Sequence, residues 1–414
     1  IGSGLVGSEM CIRDRPFMDN LKIRASIGRL GSDSSIESTM TYFSTASLSA
    51  DPVVVFGTNA LKDMGMSGPI CPDLKWQLTD TYNFGIESSM WNGLLGVEFD
   101  VFYMKTTRSL ETQSGLFPPS LGSFYPAYIN YGSHDNRGFE LVLTHHNKIR
   151  DFNYHVRGNL SWARNKILKV TEDANIPTYK RQTGQRLGRY LGFVAEGLFQ
   201  SEEEIAHSAV FEGSTDTKPG DIKLKDINGD GQITWDQDMV PIGRSSTPEM
   251  MFGLSLGAEW KGFDFNMFWQ GAAMFDVNLC GIYGSGVRDN TFYTKPFYDD
   301  GNTPYYLVEN SWRPDNPNAK FPRLGIASRE NGGRFSSWWV KDGTYLRLKS
   351  LQLGYTLPKK LTEKAGFKSI RAYVSGGNLL TFCGLDYMDP EMPGVNQGYY
   401  PQQRTYEFGL NITF

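Results

Sequence analysis

Residues 406 to 414 alternate without a break: Tyr406, Phe408, Leu410, Ile412 and Phe414 share one face, with Glu407, Gly409, Asn411 and Thr413 between them. Period-two alternation predicts a β-strand with one apolar and one polar face. In water such a strand at a chain terminus invites aggregation. In a closed barrel in lipid it pairs on both sides and turns its apolar face to the bilayer. The five apolar residues therefore read as an outer-membrane targeting strand, the pattern of the last strand of bacterial outer-membrane barrels. The competing reading is the C-terminal strand of a soluble sandwich.

The composition agrees with a barrel. Aromatic residues make up 14% of the chain, with 26 Phe, 21 Tyr and 9 Trp. Aromatic girdles at the edges of a lipid-facing band would use that surplus. The mean hydropathy is −0.39, and no apolar run reaches the roughly 18 residues of a spanning helix. A barrel stays permitted, because a polar lumen face dilutes the apolar one. With 41 basic and 45 acidic residues, the net charge of −4 gives no push toward nucleic acid. Cys11, Cys71, Cys280 and Cys383 lie far apart without CxxC spacing, which suggests neither a zinc site nor a disulfide framework.

The first residues, Ile1 to Arg15, match neither a signal peptide nor a strand. The run from Val6 to Arg15 looks like translated sequencing adapter, so residues 1–15 are read as non-native and residues 16–414 as the folded part. The remainder reads as a fragment that starts inside something larger.

After Pro16 the pattern is strand, turn, strand. Leu21, Ile23, Ala25 and Ile27 alternate with polar residues; Tyr82, Phe84 and Ile86 follow, then Leu95, Val97, Phe99, Val101 and Tyr103 across Asn92-Gly93. An Asn-Gly pair between alternating runs is a good hairpin signal. Further strands are expected around Phe139 to Leu143, Phe152 to Trp162, Phe252 to Trp260, and Phe263 to Trp269 after a tight Lys261-Gly262 turn. The last third adds strands around Leu346 to Leu357, Ile370 to Val374, and the terminal one. A phase slip between Leu348 and Leu351 predicts a bulge. The sum is about ten to twelve strands, each near the roughly 9–11 residues of a tilted spanning strand. Short turns alternate with the long segments 104–136, 166–250 and 271–340. That asymmetry is expected of periplasmic turns and extracellular loops, and it counts against a compact soluble domain.

Several ordered motifs carry a resemblance. They are Gly220-Asp221-Ile222-Lys223 leading into Asp226-Ile227-Asn228-Gly229-Asp230-Gly231, Trp269-Gln270-Gly271, and the run from Tyr345 to Pro358. Asn378-Leu379-Leu380-Thr381, Asp389-Pro390-Glu391 and Tyr400-Pro401-Gln402-Gln403-Arg404-Thr405 follow. Together, from about Phe17 to Phe414, the chain resembles the C-terminal barrel of the SusC/RagA-type TonB-linked outer-membrane proteins of the Bacteroidetes. The resemblance implies an all-β fold, a partial antiparallel transmembrane β-barrel with long extracellular loops. It implies import of oligosaccharides or peptides, a SusD-like lipoprotein lid, energy from the TonB complex, assembly by the barrel-assembly machinery, and a setting in outer-membrane lipid. Such proteins have about 22 strands, so roughly half are expected here, without the plug and the TonB box. A siderophore or cobalamin receptor of the same fold is an alternative, and a surface carbohydrate-binding β-protein is another.

One local motif points to chemistry. Asp226, Asn228 and Asp230, followed by Gly231 and the backbone carbonyl of Gln232, match the opening of an EF-hand-type calcium loop. Position twelve is Gln237 instead of Glu, with Asp236 and Asp238 beside it to supply a carboxylate. The other reading is a tight turn held by Asx hydrogen bonds. Both stand at this point, so structural calcium is the one cofactor expectation.

Loop aromatics would grip a ligand, since sugar rings stack on aromatic faces. Phe117, Phe124, Tyr125, Tyr128, Tyr131, Phe292, Tyr293, Phe297, Tyr298, Tyr305, Tyr306, Tyr399 and Tyr400 are the candidates, and no subset is singled out. His145 and His146 would point to opposite faces of a strand, so they are not a chelating pair. Ser201 to Glu204 reads as a capped short helix. No nucleophile motif is present, and the chain is read as no enzyme.

Overall fold

The computed structural model describes residues 6–9, 17–33, 46–57, 59–66, 74–112, 120, 128–172, 176–214, 217–279, 305–324, 334–386, 388–391 and 402–414. Strands β1 (Val6–Glu9) and β2 (Met18–Ser32) come first, then a separate hairpin of β3 (Ala46–Phe56) and β4 (Asn59–Met66). Next are β5 (Gln77–Met90), β6 (Leu95–Thr112), β7 (Tyr128–Ile149) and β8 (Phe152–Lys169). Short elements follow: β9 (Tyr190–Gly192), β10 (Ala195–Leu198), α1 (Glu202–Ala206), β11 (Val210–Phe211), β12 (Ile222–Leu224), β13 (Gln232–Ile233) and β14 (Val240–Gly243). The chain continues through β15 (Met250–Trp260), β16 (Phe263–Ala273), β17 (Asp276–Asn278), α2 (Tyr305–Glu309), β18 (Val340–Asp342) and β19 (Tyr345–Thr356). It ends with α3 (Lys359–Thr362), β20 (Ser369–Cys383) and β21 (Thr405–Thr413).

Among the described residues, eleven strands share one sheet in the order β1-β2-β5-β6-β7-β8-β15-β16-β19-β20-β21. The order follows the sequence, as expected of an up-and-down wall, and the strand count falls within the range read from the sequence. Tight turns join alternate pairs. Asn92 and Gly93 adopt φ of 56° and 78°, and Lys261 and Gly262 adopt 47° and 93°. Left-handed conformations at such turns match the twist of the flanking strands. The bulge lies where the phase slips. Phe268 faces Ser350 while Trp269 faces Leu348, which leaves Lys349 as the extra residue. Across the next ladder the register shifts at the same place, and Asn378 takes φ 54° there, a conformation Asn tolerates well.

Three expectations need correction. The segment 104–136 is not one long loop: β6 has 18 residues and β7 has 22, leaving a connection of residues 113–127. At about 3.3 Å per residue these strands outrun a lipid band of about 25 Å. Their outer parts need no apolar alternation, so the sequence gives no sign of them. The 9–11-residue expectation holds for β15, β16 and β21 and fails for the longer strands such as β6 and β7 for the same reason. Finally, Val6–Glu9, inside the segment read as no strand, pairs antiparallel with Lys22–Ala25 of β2. A free strand edge accepts any extended backbone, whatever its side chains.

By contact the chain forms two compact units, Ile1–Asn92 with Val97–Leu141 and Ala163–Leu187, and Gly93–Gly96 with Val142–Trp162 and Gly188–Phe414. In the second unit the strands leave large apolar side chains exposed, among them Leu254, Trp260, Phe263, Leu353, Val374 and Phe382. The buried apolar cluster lies elsewhere. Phe193, Leu198, Phe211, Ile222, Leu224, Ile233, Leu279, Leu307, Trp339 and Leu385 pack together from the long connections, on the strand-end residues Ala272 and Tyr345. Phe193 is fully buried and meets Phe211 and Trp235 edge-on at 5.5 and 5.1 Å. Each such side chain contributes about 1.5–3 kcal/mol on burial. The long segments after β8 and β16 thus build a folded layer with its own core.

Candidate functional site

The motif residues scattered along the last third converge on Arg347. Its side chain is 3% exposed and makes four hydrogen bonds. Nε donates to Thr381 Oγ1 at 3.0 Å, Nη2 to Asp389 Oδ1 at 2.8 Å, and Nη1 to Glu391 Oε2 at 2.9 Å and Gln402 Oε1 at 2.7 Å. Lys349 Nζ and Gln402 Nε2 also donate to Glu391 Oε2, both at 2.7 Å. The backbone amide of Glu391 donates to Asp389 Oδ1 at 2.9 Å. Arg347 and Lys349 flank Leu348 on β19, so alternation sends both to the polar face. Two carboxylates taken from water are tolerated because each finds cationic donors. The network holds the 389–391 segment and Gln402 against β19, and Glu391 Oε1 is buried without a hydrogen-bond partner among the described residues.

A second motif organises the loop layer. Asp221 is fully buried, and Arg323 approaches it with Nε at 2.6 Å from Oδ1 and Nη2 at 3.1 Å from Oδ2. The amide of Lys218 donates to Oδ2 at 2.8 Å. Gly220 has φ 89°, and a Cβ there would lie 2.3 Å from the Trp312 ring. Only glycine fits that position. Lys223 donates to Glu204 at 3.0 Å, and Ser201 Oγ accepts from the Glu204 amide at 3.2 Å, so the N-cap is where the sequence puts it.

The residues of the calcium-like loop come together, mostly on backbone amides. Asp226 accepts from Gly229 at 2.6 Å and Gly231 at 2.8 Å; Asp230 accepts from the Gln232 amide at 2.9 Å. Asn228 Nδ2 donates to Asp230 at 2.9 Å and to Gln237 Oε1 at 2.8 Å, so position twelve folds back onto position three. Asp238 is fully buried and accepts from Ile227 and Thr234, both at 2.8 Å. Gln232 sits in β13, and Asp236 in the turn before Asp238. Donation from the Gln232 amide, then from Asn228, holds the Asp230 carboxyl below the usual range. Among the described residues no three His, Cys, Asp or Glu side chains form a metal-holding group.

Tyr406, Phe408, Leu410 and Ile412 on β21, and Phe414 just after it, are all exposed, between 45% and 77%. His145 donates or accepts at Tyr154 Oη at 2.9 Å on the strand, with His146 one residue on. Of the aromatic candidates, Tyr128 and Tyr131 belong to β7 instead of a loop, and Tyr305 and Tyr306 to α2. Phe117, Phe124, Tyr125, Phe292, Tyr293, Phe297, Tyr298, Tyr399 and Tyr400 lie outside the described residues. The sequence did not reveal that Arg347, Asp389 and Glu391 share one network, although all three stand in motifs it singled out.

Residues 15–379 match the family of TonB dependent receptor-like β-barrels. The chain belongs to that family. TonB-dependent receptor P3 of Formosa agariphila is 28% identical over 99% of this chain and 41% of its own length. TonB-dependent receptor SusC of Bacteroides thetaiotaomicron is 23% identical over 83% of this chain and 32% of its own. The fold is that of the RagAB peptide importer in its open-open state, at a TM-score of 0.65 and 22% identity, over 98% of this chain and 41% of that one. The chain thus spans about two fifths of the length of the first curated relatives it matches. The family is one of outer-membrane receptors and transporters, not of enzymes.

Proposed function

We propose that the chain forms part of the barrel wall and outer mouth of a SusC/RagA-type importer of oligosaccharides or peptides. In this reading a SusD-like lipoprotein covers the mouth and the TonB complex supplies the energy. The observation that carries it is the Arg347 network, because four motifs of the SusC/RagA resemblance, those of the last third of the chain, meet there as one buried unit. The relative named SusC and the neighbour named a peptide importer support the same direction.

The test is deletion of the complete gene in its native host, with complementation, followed by uptake of labelled oligosaccharides and peptides. Import that needs both this gene and TonB, with a lipoprotein co-purifying, is the expected outcome. Iron- or cobalamin-limited growth as the only defect would transfer the protein to the siderophore or cobalamin class. Unchanged uptake of every labelled solute would overturn import altogether.

A further inference from the structure

The loop layer of the second unit contains a cleft of about 380 Å³, with Tyr306, Phe321 and Trp338 on its apolar side and Lys320, Lys341 and Asp386 on its polar side. Its place is fixed by register. Ala272, Tyr345 and Cys383 stand in line at the ends of β16, β19 and β20. The cleft residues follow or precede those ends, far along the strands from the Lys261-Gly262 turn. They therefore sit at the long-connection end, which in this family's geometry is the outer mouth.

The polar side is organised. Lys320 Nζ donates to Asp386 at 2.6 Å and Tyr306 Oη donates to the same carboxylate at 3.3 Å. The rings of Tyr306 and Phe321 meet edge-on at 5.8 Å. Lys341 differs: burial lowers its pKa, and no carboxylate among the described residues acts on it to offset that. The cleft thus joins aromatic faces, a fixed hydrogen-bonding pair and a lysine that no carboxylate among the described residues offsets. A sugar ring presents apolar C–H faces and hydroxyls, which suit the first two features. An anionic substituent suits the third.

We propose that the cleft binds a sugar ring bearing a carboxylate or sulfate group, with Lys341 meeting the anion and Trp338 or Tyr306 the ring. This rests on the importer reading and narrows it to anionic glycans.

The complete receptor, purified in detergent, is titrated with galacturonate, glucuronate and sulfated-galactose trimers and with a neutral galactose trimer. At least one anionic trimer is expected to bind, more weakly as salt rises. Lys341→Met is expected to weaken it at least tenfold while leaving the neutral trimer and the folded fraction unchanged. Trp338→Ala is expected to weaken anionic and neutral trimers alike. Equal binding of anionic and neutral trimers, an unaltered affinity in Lys341→Met, or no binding of any anionic trimer overturns the proposal. The two readings fail separately. TonB-dependent uptake of neutral glycans or peptides without anionic binding removes the cleft assignment alone. Anionic binding without uptake removes import and leaves the cleft.

Discussion

Arg347 on β19 and Glu391, 44 residues further along the chain, meet at 2.9 Å with side chains 3% and 13% exposed. The pair is buried but not isolated, because Asp389, Lys349, Thr381 and Gln402 bond to the same two side chains. It fastens the segment after β20 to β19, the strand that precedes β20.

Removing one partner leaves uncompensated charge. Arg347→Met is expected to cost about 3–5 kcal/mol, because Asp389 and Glu391 lose their main cation. Denaturant unfolding in detergent measures this. Arg347→Met combined with Asp389→Asn and Glu391→Gln is expected to recover a good part of the loss. A loss below about 1 kcal/mol in the single variant would mean that water reaches the network.

Asp221→Asn keeps the shape of the side chain and removes its charge opposite Arg323. The expected loss is about 3 kcal/mol in the loop layer, again as a broken buried pair. Limited proteolysis is the readout: cleavage within 196–244 should quicken, while the strand ladders, which the change does not touch, resist as before.

The Asp226 loop is already held by its own amides, as its hydrogen bonds show. Chelation by EGTA is therefore expected to leave the melting temperature unchanged, and Asp226→Ala to loosen the turn by about 1–3 kcal/mol through its two orphaned amides. A fall of several degrees on chelation would establish calcium in place of the hydrogen-bonded turn.

Acid should weaken the region around α1. The Gln200 amide first, then Lys223, hold the Glu204 carboxyl below the ordinary range. A depressed folded-state pKa gives stability that is present above the unfolded value and lost as pH falls through the folded one. Hydrogen exchange of 200–206 should thus accelerate on acidification below about pH 4.3, and Glu204→Gln should be fast at neutral pH and change little below it. An identical pH profile in both proteins would refute the assignment.

The exposed face of β21 is expected to be the lipid face. Leu410→Lys should cost about 2–4 kcal/mol if it stands near the bilayer centre, while Asn411→Lys, on the other face, should be tolerated. Heat-modifiable mobility of the folded form reports both, and equal tolerance would remove β21 from the lipid boundary.

The wall was legible in the sequence because a strand in lipid writes its two faces as alternation. The turn at Lys261-Gly262 and the bulge at Lys349 were legible for the same reason, since each interrupts a regular phase. The outer halves of β6 and β7 were not, because beyond the lipid Lys105, Thr106 and Thr107 satisfy a strand as well as a loop. The loop layer was hidden for another reason. Its strands have two to four residues, too short for any period to show. Its key pair, Asp221 with Arg323, joins positions 102 residues apart. The Asp226 motif was found, but the direction in which its carboxylates turn is a matter of geometry.

The placement of the buried cluster in the connections has a consequence for how this protein can vary. In the wall, solvent accessibility marks the positions where a charge is forbidden, so Phe408 and Leu410 should accept any bulky apolar residue and refuse polar ones. In the loop layer the familiar sign returns, and Phe193 or Trp339 is the vulnerable position. A saturation scan would therefore change its rule partway along a single strand such as β19, and the residue at which it does so would trace the waterline of the membrane on this molecule.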